Sequence, residues 1–172
     1  MTRDDAIGAA RTRTISWEDP RTLFGIARTM SGLDFMRKIM RGEVRLPPIM
    51  ELIDFQFTRV EPGEIHIGFT PQEFHFNPIG AVHGGVACTL LDSAMSCAIY
   101  AAIPAGTAFT TLQLNVHLIR GIGLETGPMR CEGTVTHCGT RTGTAEAKLL
   151  DAKGRLYAHA STTCLIYVPE AK

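Results

Sequence analysis

The stretch "NPIGAVHGGVACTLLDSA", residues 77–94, sets a histidine and two glycines ahead of an apolar run and then places one carboxylate, Asp92, inside it. A buried charge is costly unless it is neutralised, paired or put to use. From Gly84 to about Ala102 the pattern predicts one long helix, ended by Pro104 and Gly106. Ala, Val, Leu, Met, Cys and Ile occur on every side of it, and a helix apolar all round has to be enclosed.

The neighbouring segments supply the enclosure. Before the helix, "MELIDFQFTRV" (50–60) and "GEIHIGFTP" (63–71) read as two strands joined across the turn "EPGE". After it, four strand-like runs follow: "TAFTTLQLNVHLIRG", "GPMRCEGTVTHC", "TGTAEAKLLDA" and "RLYAHASTTCLIYV". Their separators, "ETGP", "CGTRTG" and "DAKG", carry turn chemistry. The order is ββαββββ, an α+β chain in which a curved antiparallel sheet wraps around a long central helix.

The remaining residues form an N-terminal helical extension, 1–46, ahead of a main domain over 47–172. Apolar residues at Leu23, Ala27, Met30, Leu33, Met36 and Met40 recur at helical spacing. Ser31 with Asp34 predicts a cap for a second helix there, and Gly42 its stop. The apolar face needs a partner surface, so Trp17, Phe24, Leu33 and Met36 are expected to be buried, near the pocket or at a subunit interface. "RLPPIMEL" punctuates the chain before the main domain.

Composition narrows the functional classes. The 172 residues suit one domain, with 45% hydrophobic and 20% charged residues. Seventeen basic residues balance seventeen acidic ones, so no global field favours nucleic acid or an anionic membrane. The apolar run 86–103 contains Thr89, Asp92, Ser93 and Ser96 and reads as a poor membrane span. The first twenty residues hold no continuous apolar core of a secretory signal. Five cysteines, an odd number with no CxxC pair, read as reduced thiols of a cytoplasmic protein, not as a disulfide framework or a zinc site. His66, His75, His117, His137 and His159 show no metal-ligand spacing and are expected on the surface or in the sheet.

Over residues 47–168, the element order and the run Asn77, His83-Gly84-Gly85, Asp92 resemble the hotdog-fold acyl-CoA thioesterases, most closely the phenylacetate-degradation (PaaI-like) family. The strand "TTLQLNVHLIRG" is also similar to the family's strand after the helix, with Gly121 where a proline usually stands. The resemblance implies hydrolysis of an acyl-CoA thioester without a separate cofactor, CoA being part of the substrate. It implies a homodimer at least, commonly paired into a tetramer, with no nucleic-acid or membrane partner. It assigns the carbonyl-polarising N–H to Gly84 and the catalytic carboxylate to Asp92. Asn77 and His83 then position the thioester and shape the loop.

Elementary chemistry supports these assignments. First-turn N–H groups of a helix are unpaired donors at the positive end of its dipole, and a glycine there lets a carbonyl approach closely. Asp92 is the nucleophile or general base. Eight residues of helix separate Gly84 from Asp92 by about 12 Å and about 80° of rotation. Groups acting on one carbon must lie within about 3 Å of it, so the spacing suggests a site shared between two antiparallel helices across a twofold axis. Gly85, Thr111 and Arg141 are candidate substrate contacts: the first beside the donor, the second aligned with a hydroxyl that contacts the attacking water in some relatives, the third within reach of a CoA phosphate.

Two other functions are weighed. A hotdog dehydratase acting on 3-hydroxyacyl thioesters is suggested by "HFNP" at His75, but residue 97, where an Asp-x4-His pair would need histidine, is Cys. A non-catalytic acyl-CoA-binding module would not need Asp92.

Overall fold

The computed structural model describes residues 10–169; the first nine residues of the expected extension and the last three of the main domain lie outside the described residues. Its centre is helix α4, Gly84–Ala102, with the bounds that its apolar pattern predicts. Six strands form one antiparallel sheet: β1 (Phe55–Glu61), β2 (Glu64–Phe69), β3 (Ala108–Leu118), β4 (Met129–Cys138), β5 (Thr142–Asp151) and β6 (Leu156–Tyr167). They lie in the order β1-β2-β4-β5-β6-β3, which leaves β1 and β3 as the edges.

Alternation explains how the sheet closes on the helix. Ile65, Ile67 and Phe69 of β2 and Ala145, Ala147 and Leu149 of β5 turn inward, while the residues between them are more open to solvent. They meet Leu90, Leu91, Met95 and Ile99 of α4, all fully buried. Burying each such large side chain contributes about 1.5–3 kcal/mol, so this layer is the main source of stability. Small inward residues let the sheet approach further. At Gly133 of β4 an added Cβ would lie 2.4 Å from the backbone carbonyl oxygen of Ala94, so the strand rests directly on the helix backbone. Register shifts in β1, β3, β4 and between β5 and β6 bend the strands around it. By length and composition alone α4 could cross a membrane, contrary to the sequence reading, but here more than half of its apolar window is enclosed by the fold.

The extension docks on the same core. Helix α1, Pro20–Ala27, is capped by the Asp19 carboxylate, which accepts from the Arg21 N–H. Helix α2, Gly32–Met40, starts as expected at Ser31, whose hydroxyl accepts from the Asp34 N–H. It stops at Gly42, whose φ of 72° lets Glu43 N–H reach the Lys38 carbonyl at 2.9 Å. Phe35, Met36 and Ile39 enter the hydrophobic core, and Gly32 presses on the backbone and ring of Tyr100. Met36 is buried and Leu33 partly so.

Three expectations are corrected. Trp17 and Phe24 are exposed, at 61% and 51%. Trp17 precedes the first helix, and on α1 it is Leu23, not Phe24, that turns inward. The run 50–60 is not one strand. Pro48 opens a short helix α3, Pro48–Ile53, and Asp54 ends it in the left-handed region at φ 61° before β1 begins. His75 is buried at 4% exposure. Its ring lies between Phe69 and Phe74, and both nitrogens are engaged.

The contact at Gly133 generates a direct test. Gly133→Ala forces a methyl group into the Ala94 carbonyl, and neither backbone can yield without moving a strand or the helix. The variant is expected to lose about 1–3 kcal/mol of stability in denaturant unfolding, the usual cost of overpacking.

Candidate active site

The loop 72–83 delivers the chain to the start of α4. His75 Nδ1 accepts from the Gln72 N–H at 2.9 Å, and its Nε2 lies 2.8 Å from the Ile53 carbonyl. Both bonds are satisfied by the neutral ring with its proton on Nε2, and burial lowers the ring's pKa in the same direction. The His75 carbonyl then accepts from the His83 N–H at 2.8 Å. Asn77 holds the tip of the loop. Its Oδ1 accepts from Ile79 N–H at 3.0 Å and Ala81 N–H at 3.2 Å, around Gly80 at φ 81°. Asn77 is therefore a loop brace in this chain, and every polar contact it makes is local.

His83 is the N-cap of α4, with its Nδ1 accepting from the Gly85 N–H at 2.9 Å. That bond occupies the Gly85 donor and leaves the Gly84 donor alone: among the described residues no acceptor faces the Gly84 N–H. A Cβ at Gly84 would lie 2.8 Å from Leu118 Cδ1, so the helix start packs closely on the side chain of Leu118 of β3, which a larger residue would have to displace.

Asp92 sits two turns further along, half-buried, with Oδ1 accepting from the Thr111 hydroxyl at 3.0 Å. Burial pushes its carboxyl above the ordinary carboxylate value, and the Thr111 bond partly opposes this. Two thiols flank it. Cys97 is pushed up to about 12 by burial, with a further push from the Asp92 charge, and Cys164 is also raised by burial. Both stay protonated near neutral pH and are poor nucleophiles. Neither thiol therefore supplies a thiolate beside the carboxylate.

Of the residues expected in the site, the chain brings Asp92 and Thr111 together, and separately His83, Gly84 and Gly85. It does not bring the two sets together. Gly84 packs on Leu118 and Asp92 on Thr111, toward opposite ends of β3, and eight residues of helix hold the two about 12 Å apart. Arg141 is exposed at the β4–β5 turn, where its carbonyl accepts from the Ile166 N–H. Among the described residues no group of three His, Cys, Asp or Glu side chains is placed to hold a metal ion.

Sequence reasoning missed two contributions. His75 anchors the loop from inside, a role that a histidine in a polar-looking run does not announce. Phe109 shares the inward face of β3 with Thr111, as period-two spacing allows, and with Ser93 and Cys97 of α4 it lines an apolar cavity.

Residues 79–158 match the family model of the thioesterase superfamily. No curated protein matches the chain. Among solved structures, it is similar to a phenylacetic acid degradation-related protein of Ralstonia eutropha, with 23% identity and a TM-score of 0.68 over 76% of this chain and 98% of the other. It is also similar to a thioesterase family protein of Silicibacter pomeroyi, with 19% identity and a TM-score of 0.69 over 78% and 99%. A thioesterase of Haemophilus influenzae aligns at 14% identity with a TM-score of 0.68, over 77% and 90%. Residues 79–158, from the loop through α4 to the start of β6, thus carry the pattern of the thioesterase superfamily, and the chain has the hotdog fold.

Proposed function

We propose that this protein is an acyl-CoA thioesterase, hydrolysing a thioester to the free acid and CoA. The observation that carries the reading is Asp92: a single carboxylate on an otherwise apolar helix, half-buried, held by Thr111 and flanked by protonated thiols. With Oδ1 fixed by the Thr111 hydroxyl, Oδ2 is free to face the thioester. Acting as a base, it takes a proton from water as the water oxygen attacks the carbonyl carbon. Acting as a nucleophile, it attacks that carbon itself and forms an anhydride that water then opens. Either route builds negative charge on the carbonyl oxygen and expels the CoA sulfur, which takes up a proton; in the nucleophilic route this happens as the anhydride forms, before water opens it.

The donor for that charge is a Gly84 N–H. A backbone donor of this type is commonly worth about 2.7–4 kcal/mol in the transition state. Because one chain holds its Gly84 and Asp92 apart, the proposed site pairs Asp92 of one protomer with Gly84 of the partner subunit, which makes a homodimer the minimum active unit. The unpaired edge of β3, with Leu112 and Leu118 exposed, supports this arrangement as a template for a second strand. His83 and Asn77 hold the donor loop, Gly85 borders it, and exposed Arg141 is available to a CoA phosphate. Pairing of dimers into tetramers, a reaction needing no cofactor, and a reducing cytoplasmic setting complete the proposal; the last is supported by five free cysteines. The dehydratase alternative is disfavoured, since His75 has both ring nitrogens engaged and position 97 is a raised-pKa cysteine.

Asp92→Asn is expected to lower acyl-CoA hydrolysis by at least about 100-fold, measured with a thiol reagent, in a protein that stays folded. The stability sign is opposite. A carboxyl raised in the fold contributes stability that is complete below its unfolded value of 3.8 and is lost as pH rises through the folded value. At neutral pH the ionised Asp92 therefore costs stability, and Asp92→Asn should melt no lower than the wild type. Near-wild-type turnover in that variant would sink the mechanism.

Because the reaction needs the ionised carboxylate, kcat/KM should fall on the acid side through a pKa above the ordinary carboxylate range. Thr111→Val removes the hydroxyl that favours the ionised form, so this limb should move further up in pH, while Thr111→Ser should restore it. A limb unmoved by Thr111→Val would show that the hydroxyl does not act on Asp92.

Sharing of the site is tested by co-expressing Asp92→Asn and Gly84→Pro chains under two tags. Each homodimer should be nearly inactive, and the purified heterodimer should recover one intact site. Absence of recovery in a folded heterodimer would place both groups within one chain.

A further inference from the structure

We infer that Phe35 of the N-terminal extension, with Tyr100 and Phe109, forms the end wall of the acyl pocket and limits the acyl group to about six carbons or one aromatic ring. The inference rests on the thioesterase reading and concerns what it accepts. Two apolar spaces adjoin at Tyr100, toward the C-terminal end of α4. The inner one, about 180 Å³, is bordered by Ser93 and Cys97 of α4, by Phe57 of β1 and by Met36 and Ile39 of α2. Its lining comes within one residue of the carboxylate on α4, at Ser93, and within two of the Thr111 hydroxyl on the same face of β3, at Phe109. The outer one, about 300 Å³, lies under α1, between Leu23, Phe24, Arg28 and Tyr167.

The two spaces share Phe35, Pro47, Tyr100 and Phe109 as common lining, so these residues are the partition between them. The partition is firmly held. Tyr100 and Phe109 have ring centroids 5.2 Å apart, and Gly32 pins the Tyr100 ring by direct contact. Phe35 follows three residues later on α2, so the docking of α2 on α4 also sets the position of the wall. The occupant of the inner space is the acyl part of the thioester, because the space is almost wholly apolar and is bordered by Ser93, the chain neighbour of Asp92. A dry apolar cavity of about 150 Å³ accommodates benzene, which sets the size of acyl group that about 180 Å³ admits. Longer chains meet the wall, and the outer groove beyond it becomes usable only when the wall is cut back.

The test is a chain-length series, butyryl- to dodecanoyl-CoA with benzoyl-CoA alongside, assayed with a thiol reagent. In the wild type, kcat/KM should peak at or below six carbons and be at least about tenfold lower for dodecanoyl-CoA. Phe109→Ala, at the half-buried start of an edge strand, should raise the dodecanoyl-to-hexanoyl ratio at least about tenfold, mainly through KM. Phe35→Leu, which keeps the core filled, should raise it in the same direction, and melting curves establish that both variants are folded. General damage would lower all chain lengths alike and leave the ratio unmoved. A wild type that hydrolyses dodecanoyl-CoA as well as hexanoyl-CoA, or folded variants with an unchanged ratio, would overturn the wall and leave the thioesterase reading standing. Absence of hydrolysis for every thioester in the wild type would overturn both.

Discussion

The structure depends on the enclosure of α4. A helix with apolar residues on every side has no face to give to water, so the strands must surround it. The approach is close enough that side chains are dispensed with at its tightest point, where Gly133 of β4 lies on the Ala94 carbonyl. Everything else follows from this contact layer. The bulges bend the strands to follow the helix, the alternation of β2 and β5 fills the space between, and α2 covers the part of α4 that the sheet leaves open, with Gly32 against Tyr100.

Enclosure also sets the chemistry of Asp92. On an exposed helix the carboxylate would be one surface acid among many. Half-buried beside Cys97, Cys164 and Thr111, it is raised by desolvation and steadied by one hydroxyl, and its charge adds to the burial that keeps the Cys97 thiol protonated. A base gains proton affinity when its charge is poorly solvated, which is how a fold makes an ordinary carboxylate useful near neutral pH. The helix start carries the complementary feature. His83 takes the Gly85 donor and, among the described residues, leaves the Gly84 N–H without an acceptor, so the cap that stabilises the helix also selects which donor is free.

Legibility in the sequence tracks the range of the interaction concerned. The bounds of α4, the six strands, the Ser31 cap and the Gly42 stop rest on local chemistry and periodicity, and these were readable. Asp92 and Gly84 stood out because each breaks a local rule, a charge in an apolar run and a glycine pair at a helix start. What failed was tertiary. His75 is buried through Phe69, Phe74 and the Ile53 carbonyl, none of which its own neighbourhood reveals. Helix α3 interrupts an apparent strand because Pro48 supplies a helix start inside an apolar run. Trp17 and Phe24 belong to a stretch whose apolar residues at helical spacing need a partner surface, but Trp17 precedes α1 and the inward face of α1 is set by Leu23. The pairing of Thr111 with Asp92 depends on β3 lying beside the helix, which spacing alone does not fix.

The bulge in β3 has a consequence for recognition. Between Thr111 and Gln113 the ladder to β6 slips, and Leu112 is thrown outward at 60% exposure on the sheet's open edge. An uninterrupted edge strand accepts almost any extended chain, which is how sheets grow into aggregates. An edge broken at one defined residue is more selective: a passing strand with an even ladder finds its hydrogen bonds out of step on one side of the kink. The irregularity next to Thr111 therefore leaves the open edge with an uneven ladder for any strand that would join it.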